Sequence, residues 1–104
     1  MNQKVRVEID SDLSDLVPVF LARKRADARA IVAAVERAEF DSVAGFAHRL
    51  KGDGGSYGFD EISMMGAELE SAAQSGDLAT AERVARRILS YLDQIEVIYH
   101  SSQV

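Results

Sequence analysis

Residues 78–99 read LATAERVARRILSYLDQIEVIY, and this stretch decides the fold class. Its apolar side chains recur every three or four positions, the spacing that places them on one face of an α-helix. The residues of this face are Leu78, Ala81, Val84, Ala85, Ile88, Leu92, Ile95 and Tyr99. The pattern predicts one amphipathic helix over residues 78–99, roughly 30 Å long, and it favours an all-α fold.

Turn-forming residues predict where the N-terminal helices begin and end. Ser11 or Asp12 can accept hydrogen bonds from free backbone N–H groups, so a short helix is expected to begin there. It should give way at Pro18, whose fixed φ suits the first turn of a long helix that reaches about Ala38. The apolar face of that long helix is interrupted by Lys24.

The second half of the chain carries two further boundaries. Asp41 is predicted to cap a third helix, which Gly58 ends, and a fourth helix should begin near Asp60. At Gly76-Asp77 the glycine can stop one helix and the aspartate can cap the next. Four helices with short connections predict an antiparallel up-down four-helix bundle, with the short extra N-terminal helix as a lid.

The first ten residues follow a different pattern. Val5, Val7 and Ile9 alternate with charged residues, which is the period of a strand. Because a single short strand has no partner in an all-α fold, we expect residues 1–10 to form an extended arm over a bundle of residues 11–104. Pairing of this arm with another chain stays open.

Composition limits the class of protein. The chain has 104 residues, enough for one core, and no cysteine, which excludes disulfides and thiolate metal sites. The N-terminus has no apolar run like that of a secretion signal, and no segment reaches the roughly 18 apolar residues of a membrane span. The net charge of −5 disfavours nucleic acid and anionic lipid as partners. We predict a cytoplasmic protein, by default a monomer.

Residues 46–59, FAHRLKGDGGSYGF, contain the candidate functional residues of the chain. On a helix His48 lies well over 100° from Val43 and therefore off the core face, so its ring should point outward. Its neighbours on the helix surface, all within about 60° of its direction, are Ala44, Gly45, Lys51, Gly52 and Gly55. Apart from Lys51, these neighbours have almost no side chain.

The glycines carry a cost in stability. Each glycine inside a helix costs roughly 0.5–1 kcal/mol relative to alanine, and this segment holds Gly45, Gly52, Gly54 and Gly55. Such weakening beside a protruding imidazole indicates a flat surface that another protein approaches closely. A loop that begins after Leu50 is the alternative interpretation.

The residue types at this position suit nucleophilic chemistry. An imidazole with an ordinary pKa of about 6.5 is largely neutral at physiological pH and has a free nitrogen lone pair. Lys51 lies one turn on, where its ammonium can reach a phosphoryl group on the ring. Phosphoryl transfer needs mainly alignment and charge neutralisation.

Three segments together resemble the histidine-containing phosphotransfer (HPt) domains of two-component phosphorelays. They are AHRLKG at residues 47–52, GGSYGF at 54–59 and ELESAAQSGD at 68–77. The family pattern of histidine, lysine at +3 and glycines at +4 and +10 falls on His48, Lys51, Gly52 and Gly58. In weaker form the likeness extends from Leu13 to Tyr99.

The resemblance implies a four-helix bundle that relays a phosphoryl group between receiver-domain aspartates and performs no catalysis alone. It implies His48 as the phosphoryl acceptor and Lys51 as phosphate support. It also implies that the receiver of a response regulator or hybrid kinase supplies Mg²⁺, so no cofactor is expected on this chain. The surface that contacts the receiver would be formed by Ala44, Gly45, Gly52 and Gly55.

Two other functions are compatible with the same residues. One is a module that docks on receivers without accepting phosphate, and the other is the phospho-accepting domain of a chemotaxis-type histidine kinase. No metal site is predicted, because Glu68 and Glu70 lack the Glu-x-x-His companion of di-iron bundles.

Overall fold

The computed structural model describes residues 3–101, and four α-helices make up most of it. In chain order the elements are β1 (Val5–Asp10), a 3₁₀ turn (Ser11–Leu13), α1 (Val17–Glu36), α2 (Phe40–Ser56), α3 (Asp60–Gln74), α4 (Leu78–Gln94) and β2 (Ile95–His100). The helical fold predicted from the apolar spacing is confirmed in its main part, and a two-stranded sheet is added to it.

Short connections join the helices, and glycines in two of them explain where α2 and α3 stop. Gly58 and Gly76 have φ values of 84° and 69°, a left-handed conformation that glycine adopts without a steric penalty. Asp77 caps α4 by accepting a hydrogen bond from the Thr80 N–H at 3.1 Å. Asp41 is not the cap predicted for α2; it lies within the first turn of that helix.

Each helix packs mainly against two others, so that the four surround one apolar core. Helix α1 packs against α2 and α4, and α3 packs against the same two helices. The largest fully buried side chains are Val17, Ile31, Val43, Leu50, Phe59, Ile62, Leu69, Val84, Ile88 and Leu92. Among the helices within residues 3–101, none combines the length and apolarity required to cross a membrane.

The last helix is shorter than its apolar pattern predicts. It ends at Gln94, and Ile95 already has extended backbone angles (φ −68°, ψ 134°). Residues 95–100 read IEVIYH and form strand β2, which agrees with the strand preference of β-branched and aromatic residues. The prediction of a helix through Tyr99 was wrong, because apolar residues at 95 and 99 fit a helical and an extended pattern equally well.

The N-terminal segment is extended as predicted, but the expectation that it has no strand partner was wrong. Strand β1 pairs in parallel with β2, in a register that sets Val5 opposite Ile95. The chain itself therefore supplies the partner. Ile9 is 2% exposed and belongs to the same apolar core as the helices.

The expected short helix before Pro18 is reduced to the 3₁₀ turn. Asp10 accepts a hydrogen bond from the Asp12 N–H at 2.8 Å and so closes this turn. Pro18 stands in the first turn of α1, as predicted. Lys24, which interrupts the apolar face of α1 in the sequence, is buried with that face and is 5% exposed.

Candidate functional site

His48 lies on α2 with its ring in solvent, as the helical spacing predicted. Its side chain is 69% exposed, and the Nδ1 atom lies 3.0 Å from Oε2 of Glu70 on α3. The ring is thus held on one side while remaining open to a second molecule.

Lys51 is held by the same carboxylate. Its Nζ donates to Oε1 of Glu70 at 3.3 Å, and the lysine side chain is 45% exposed. The two oxygens of Glu70 therefore bind the two side chains that the sequence placed at i and i+3. The structure brings His48 and Lys51 together, but through a third residue.

Sequence reasoning missed Glu70 as a site residue and considered it only as a metal ligand. Its side chain is 17% exposed, less than that of either partner. Glu70 joins the site because α3 packs on α2. The spacing of residues along a single helix does not show which residue of another helix lies nearby.

The charge of Glu70 is stabilised by its two partners. Partial burial alone would raise the pKa of the Glu70 carboxyl, but the hydrogen bonds and charges of Lys51 and His48 lower it below its usual value of 4.5. The carboxylate is therefore ionised at neutral pH and can only accept hydrogen bonds.

This charge decides the tautomer of the histidine. Because an ionised carboxylate donates no proton, Nδ1 of His48 must carry the hydrogen that joins it to Glu70. In the neutral ring the lone pair is then on Nε2. No residue that the structure describes bonds this nitrogen, so it is available as a nucleophile.

Two glycines let α3 approach α2 closely enough for Glu70 to reach His48. A Cβ at Gly66 of α3 would lie 2.7 Å from the Lys51 backbone nitrogen. A Cβ at Gly54 of α2 would lie 2.7 Å from the Ser63 nitrogen. Both distances are too short for any side chain, so these positions require glycine for helix packing. Gly66 was not singled out from the sequence.

The predicted contact surface remains on the outside of α2. Gly52 and Gly55 are exposed, and Ala44 and Gly45 are half-buried. A Cβ at Gly52 would meet no atom within 4 Å. Packing therefore requires glycine at position 54 and does not require it at position 52. The sequence alone did not distinguish Gly54 from its neighbouring glycines.

The glycine-rich segment is helical, and the alternative of a loop after Leu50 was wrong. Helix α2 continues to Ser56, whose hydroxyl donates to the Gly52 carbonyl at 3.1 Å. From α3, Ser63 donates to the Lys51 carbonyl at 2.7 Å. These two hydrogen bonds support a turn that glycines by themselves would weaken.

A buried lysine holds the glycine-rich segment of α2 against α1. Lys24 of α1 contacts Asp53 at 2.6 Å and Asp27 at 3.2 Å. Asp53 lies between Gly52 and Gly54, so this ion pair ties the weakest part of α2 to α1. Within residues 3–101, no group of three or more histidines, aspartates and glutamates could hold a metal ion.

Comparison with models of known protein families finds a match. The family model described as the Hpt domain matches residues 15–97, a range that contains all four helices and the His48–Glu70–Lys51 site. Searches of the curated proteins and of the solved structures found no match.

Proposed function

The chain belongs to the Hpt domain family, whose members carry phosphoryl groups on a histidine in two-component signalling, and from this premise we propose that His48 is the phosphoryl carrier. In this proposal His48 takes the group from an aspartate of one receiver domain and gives it to an aspartate of another. The observation that carries the assignment is a solvent-exposed imidazole with Nε2 free and Nδ1 bonded to Glu70.

The transfer step follows from the tautomer. The Nε2 lone pair attacks the phosphorus of the receiver's aspartyl phosphate; the N–P bond forms while the P–O bond to the aspartate breaks. The carboxylate leaves with the electron pair, and the proton stays on Nδ1. The ring becomes a phosphoimidazolium whose positive charge faces Glu70, and the reverse step phosphorylates the next aspartate.

Lys51 and Glu70 have separate roles in this step. Glu70 orients the ring and stabilises the positive charge that it gains, as carboxylates do for histidines elsewhere. Lys51 offsets the negative charge of the phosphoryl group, which its flexible, 45% exposed side chain can reach after leaving Glu70. Both are positioning and charge-balancing residues for the nucleophile His48.

The surface of α2 around the histidine suits a receiver. Gly52 and Gly55 with Ala44 and Gly45 leave backbone exposed beside the ring, so a partner can bring its aspartyl phosphate close to Nε2. We take the four helices to run antiparallel, up and down, as short connections favour. A docked receiver would then contact α2 and α3 together.

The chain acts in this proposal as a phosphocarrier and not as an enzyme. Family members are carrier modules, and the receiver is proposed to supply Mg²⁺ and the remaining donors, with no cofactor on this chain. We place the protein in the cytoplasm, where receivers act.

Phosphotransfer from receivers tests the assignment. The complete set of receiver domains of the source organism is phosphorylated with acetyl phosphate and incubated with the wild-type chain, with His48→Gln and with His100→Gln. Because His48 and His100 are the only histidines, the second variant is a matched control. We expect wild type and His100→Gln to be labelled and His48→Gln to stay unlabelled, with a label lost in acid and stable in alkali.

Three outcomes would overturn the proposal. Labelling of His48→Gln would place the phosphoryl group elsewhere. Binding of receivers without labelling of the wild type would identify a docking module. A label on Nδ1 in phosphorus–nitrogen NMR would contradict the tautomer that Glu70 imposes.

A further inference from the structure

The outer edge of strand β1 has no partner strand in the part of the chain that the structure describes. The sheet has two strands, and β2 occupies one edge of β1. Among the described residues, no backbone hydrogen bond outside this ladder involves positions 5–9. An unpaired strand edge offers a row of N–H and C=O groups to another chain.

The two faces of β1 are chemically distinct. Val5, Val7 and Ile9 lie on the face that packs toward the helices, and Ile9 is buried there. The opposite face carries the charged residues of the strand and the one before it. These are Lys4, Arg6, Glu8 and Asp10, two positive charges followed by two negative charges.

This order of charges is self-complementary in an antiparallel pair. When two copies of β1 are paired about Val7, Arg6 of each copy lies opposite Glu8 of the other. Lys4 then lies opposite Asp10, and Val5 lies opposite Ile9. Every charge thus faces an opposite charge, and every apolar residue faces an apolar one, the arrangement that stabilises cross-strand neighbours.

Other ways of pairing β1 with itself lose this match. A shift by one residue would set the apolar face of one copy opposite the charged face of the other. Pairing about Arg6 or Glu8 would place two like charges opposite each other, and parallel pairing in register would do so at every charged position. Strand β2 offers less, because its corresponding face carries Glu96, Ile98 and His100, and the central one of these three residues has no charge.

We propose that the protein forms a two-fold symmetric dimer through the outer edges of β1, which creates a continuous four-stranded sheet in the order β2-β1-β1-β2. The occupant of the open edge is therefore a second copy of this chain. This replaces the monomer expected from the sequence. The proposal does not rest on phosphotransfer, because His48, Lys51 and Glu70 lie on α2 and α3 and not in the sheet.

Charge reversal tests the register. Sedimentation equilibrium of the wild type should show a concentration-dependent dimer. In Glu8→Arg two like-charged pairs replace two opposite-charged pairs, and we expect dimerisation to weaken at least about tenfold. Adding Arg6→Glu to Glu8→Arg re-creates both pairs and should restore the dimer.

Glu82→Arg is the matched control for charge. Glu82 is exposed on α4, away from the sheet, and its reversal changes the net charge by the same amount. It should leave the dimer unchanged, and circular dichroism of each variant checks that the helices are intact.

A cross-link provides a second test that does not depend on charge. The chain has no cysteine, so Val7→Cys introduces one thiol per copy, directly opposite its equivalent in the proposed dimer. Mild oxidation should link the two copies. Val97→Cys, on β2 opposite Val7 within one chain, should not link.

The proposal fails if the wild type is monomeric at the highest concentration that stays in solution. It also fails if Glu8→Arg dimerises as well as the wild type. Efficient linking of the Val97→Cys variant, without linking of Val7→Cys, would contradict it as well, since it would assign the contact to β2. A monomer that still accepts phosphoryl groups would remove the dimer and leave the function of His48 intact.

Discussion

The Glu70 carboxylate lies 3.0 Å from Nδ1 of His48. Its second oxygen binds Lys51 at 3.3 Å. One acidic residue from α3 thus holds both the exposed ring of His48 and the side chain of Lys51. The arrangement sets which nitrogen of His48 is free, and it depends on a residue of another helix.

Replacing Glu70 by glutamine should change both the tautomer and the transfer rate. Without the negative charge, the preference for hydrogen on Nδ1 weakens, and nitrogen NMR should detect more of the Nε2–H form. We expect transfer from a phosphorylated receiver to slow roughly threefold to tenfold, the size of effect that an exposed ion pair supports.

Glu68→Gln is the control for this change. Glu68 lies on the same helix but pairs with Arg83 and Arg87 of α4, at 3.5 and 3.2 Å. It should leave the His48 tautomer and the transfer rate unchanged. An unaltered tautomer in Glu70→Gln would contradict the role assigned to this carboxylate.

The same carboxylate should contribute to stability in a defined pH range. Desolvation raises the pKa of the Glu70 carboxyl, but Lys51 and His48 together lower it by more, so it lies below its ordinary value of 4.5 in the folded chain. The contribution is therefore fully present above pH 4.5 and is lost as the pH falls through the folded pKa. Urea unfolding should show a difference between wild type and Glu70→Gln that is present above pH 4.5 and shrinks as the pH falls below it. A difference that grows on acidification would refute the assignment.

Two glycines of α2 should respond in opposite directions to alanine. In Gly54→Ala the new Cβ meets backbone of α3 at 2.7 Å, so we expect a loss of about 1–3 kcal/mol in the free energy of unfolding. In Gly52→Ala the Cβ meets nothing within 4 Å, so the helix should gain about 0.5–1 kcal/mol. Thermal or urea denaturation measures both. Equal effects would show that packing does not distinguish the two positions.

A bulky residue at position 52 should block the partner without unfolding the chain. The space outside Gly52 is empty in the structure, and our proposal fills it with the receiver. Gly52→Leu should therefore retain its helices and lose transfer roughly tenfold or more. Ala79→Leu, on the exposed surface of α4, is the control and should transfer normally. Normal transfer by Gly52→Leu would exclude this surface from docking.

Removing Asp53 should cost more stability than replacing Lys24. Asp53→Ala leaves the buried Lys24 ammonium with Asp27 alone. We expect a loss of about 1–2 kcal/mol, less than for a fully buried pair because Asp53 is 49% exposed. Lys24→Met removes the buried charge and keeps the volume, so the loss should stay below about 1 kcal/mol. Urea denaturation of both variants shows which substitution lowers the free energy of unfolding more.

Local patterns were sufficient for most of the helices. The stops at Gly58 and Gly76 and the cap at Asp77 follow from the conformational freedom of glycine and the acceptor oxygen of aspartate, both of which act within a few residues. The outward direction of His48 follows from the helical repeat alone. Such features depend on residues that are close together in the chain, so they can be predicted from the sequence.

Other features depend on residues distant in the chain. The contact of Glu70 with His48, the buried position of Lys24 and the need for glycine at 54 and 66 arise only when helices pack. The end of α4 at Gln94 also depends on a residue contact that is distant in the chain. Residues 95–100 can be helical or extended, and the backbone hydrogen bonds to β1 favour the extended form.

By itself the sequence determined four amphipathic helices, the stops at Gly58 and Gly76 with the cap at Asp77, and an exposed histidine with a lysine one turn away. Each of these results from periodicity and short-range hydrogen bonding. The tertiary structure decided that β1 and β2 pair and which glycines are packed. It also decided that Glu70 sets the free nitrogen of His48, because contacts between separate elements form only when the core brings them together.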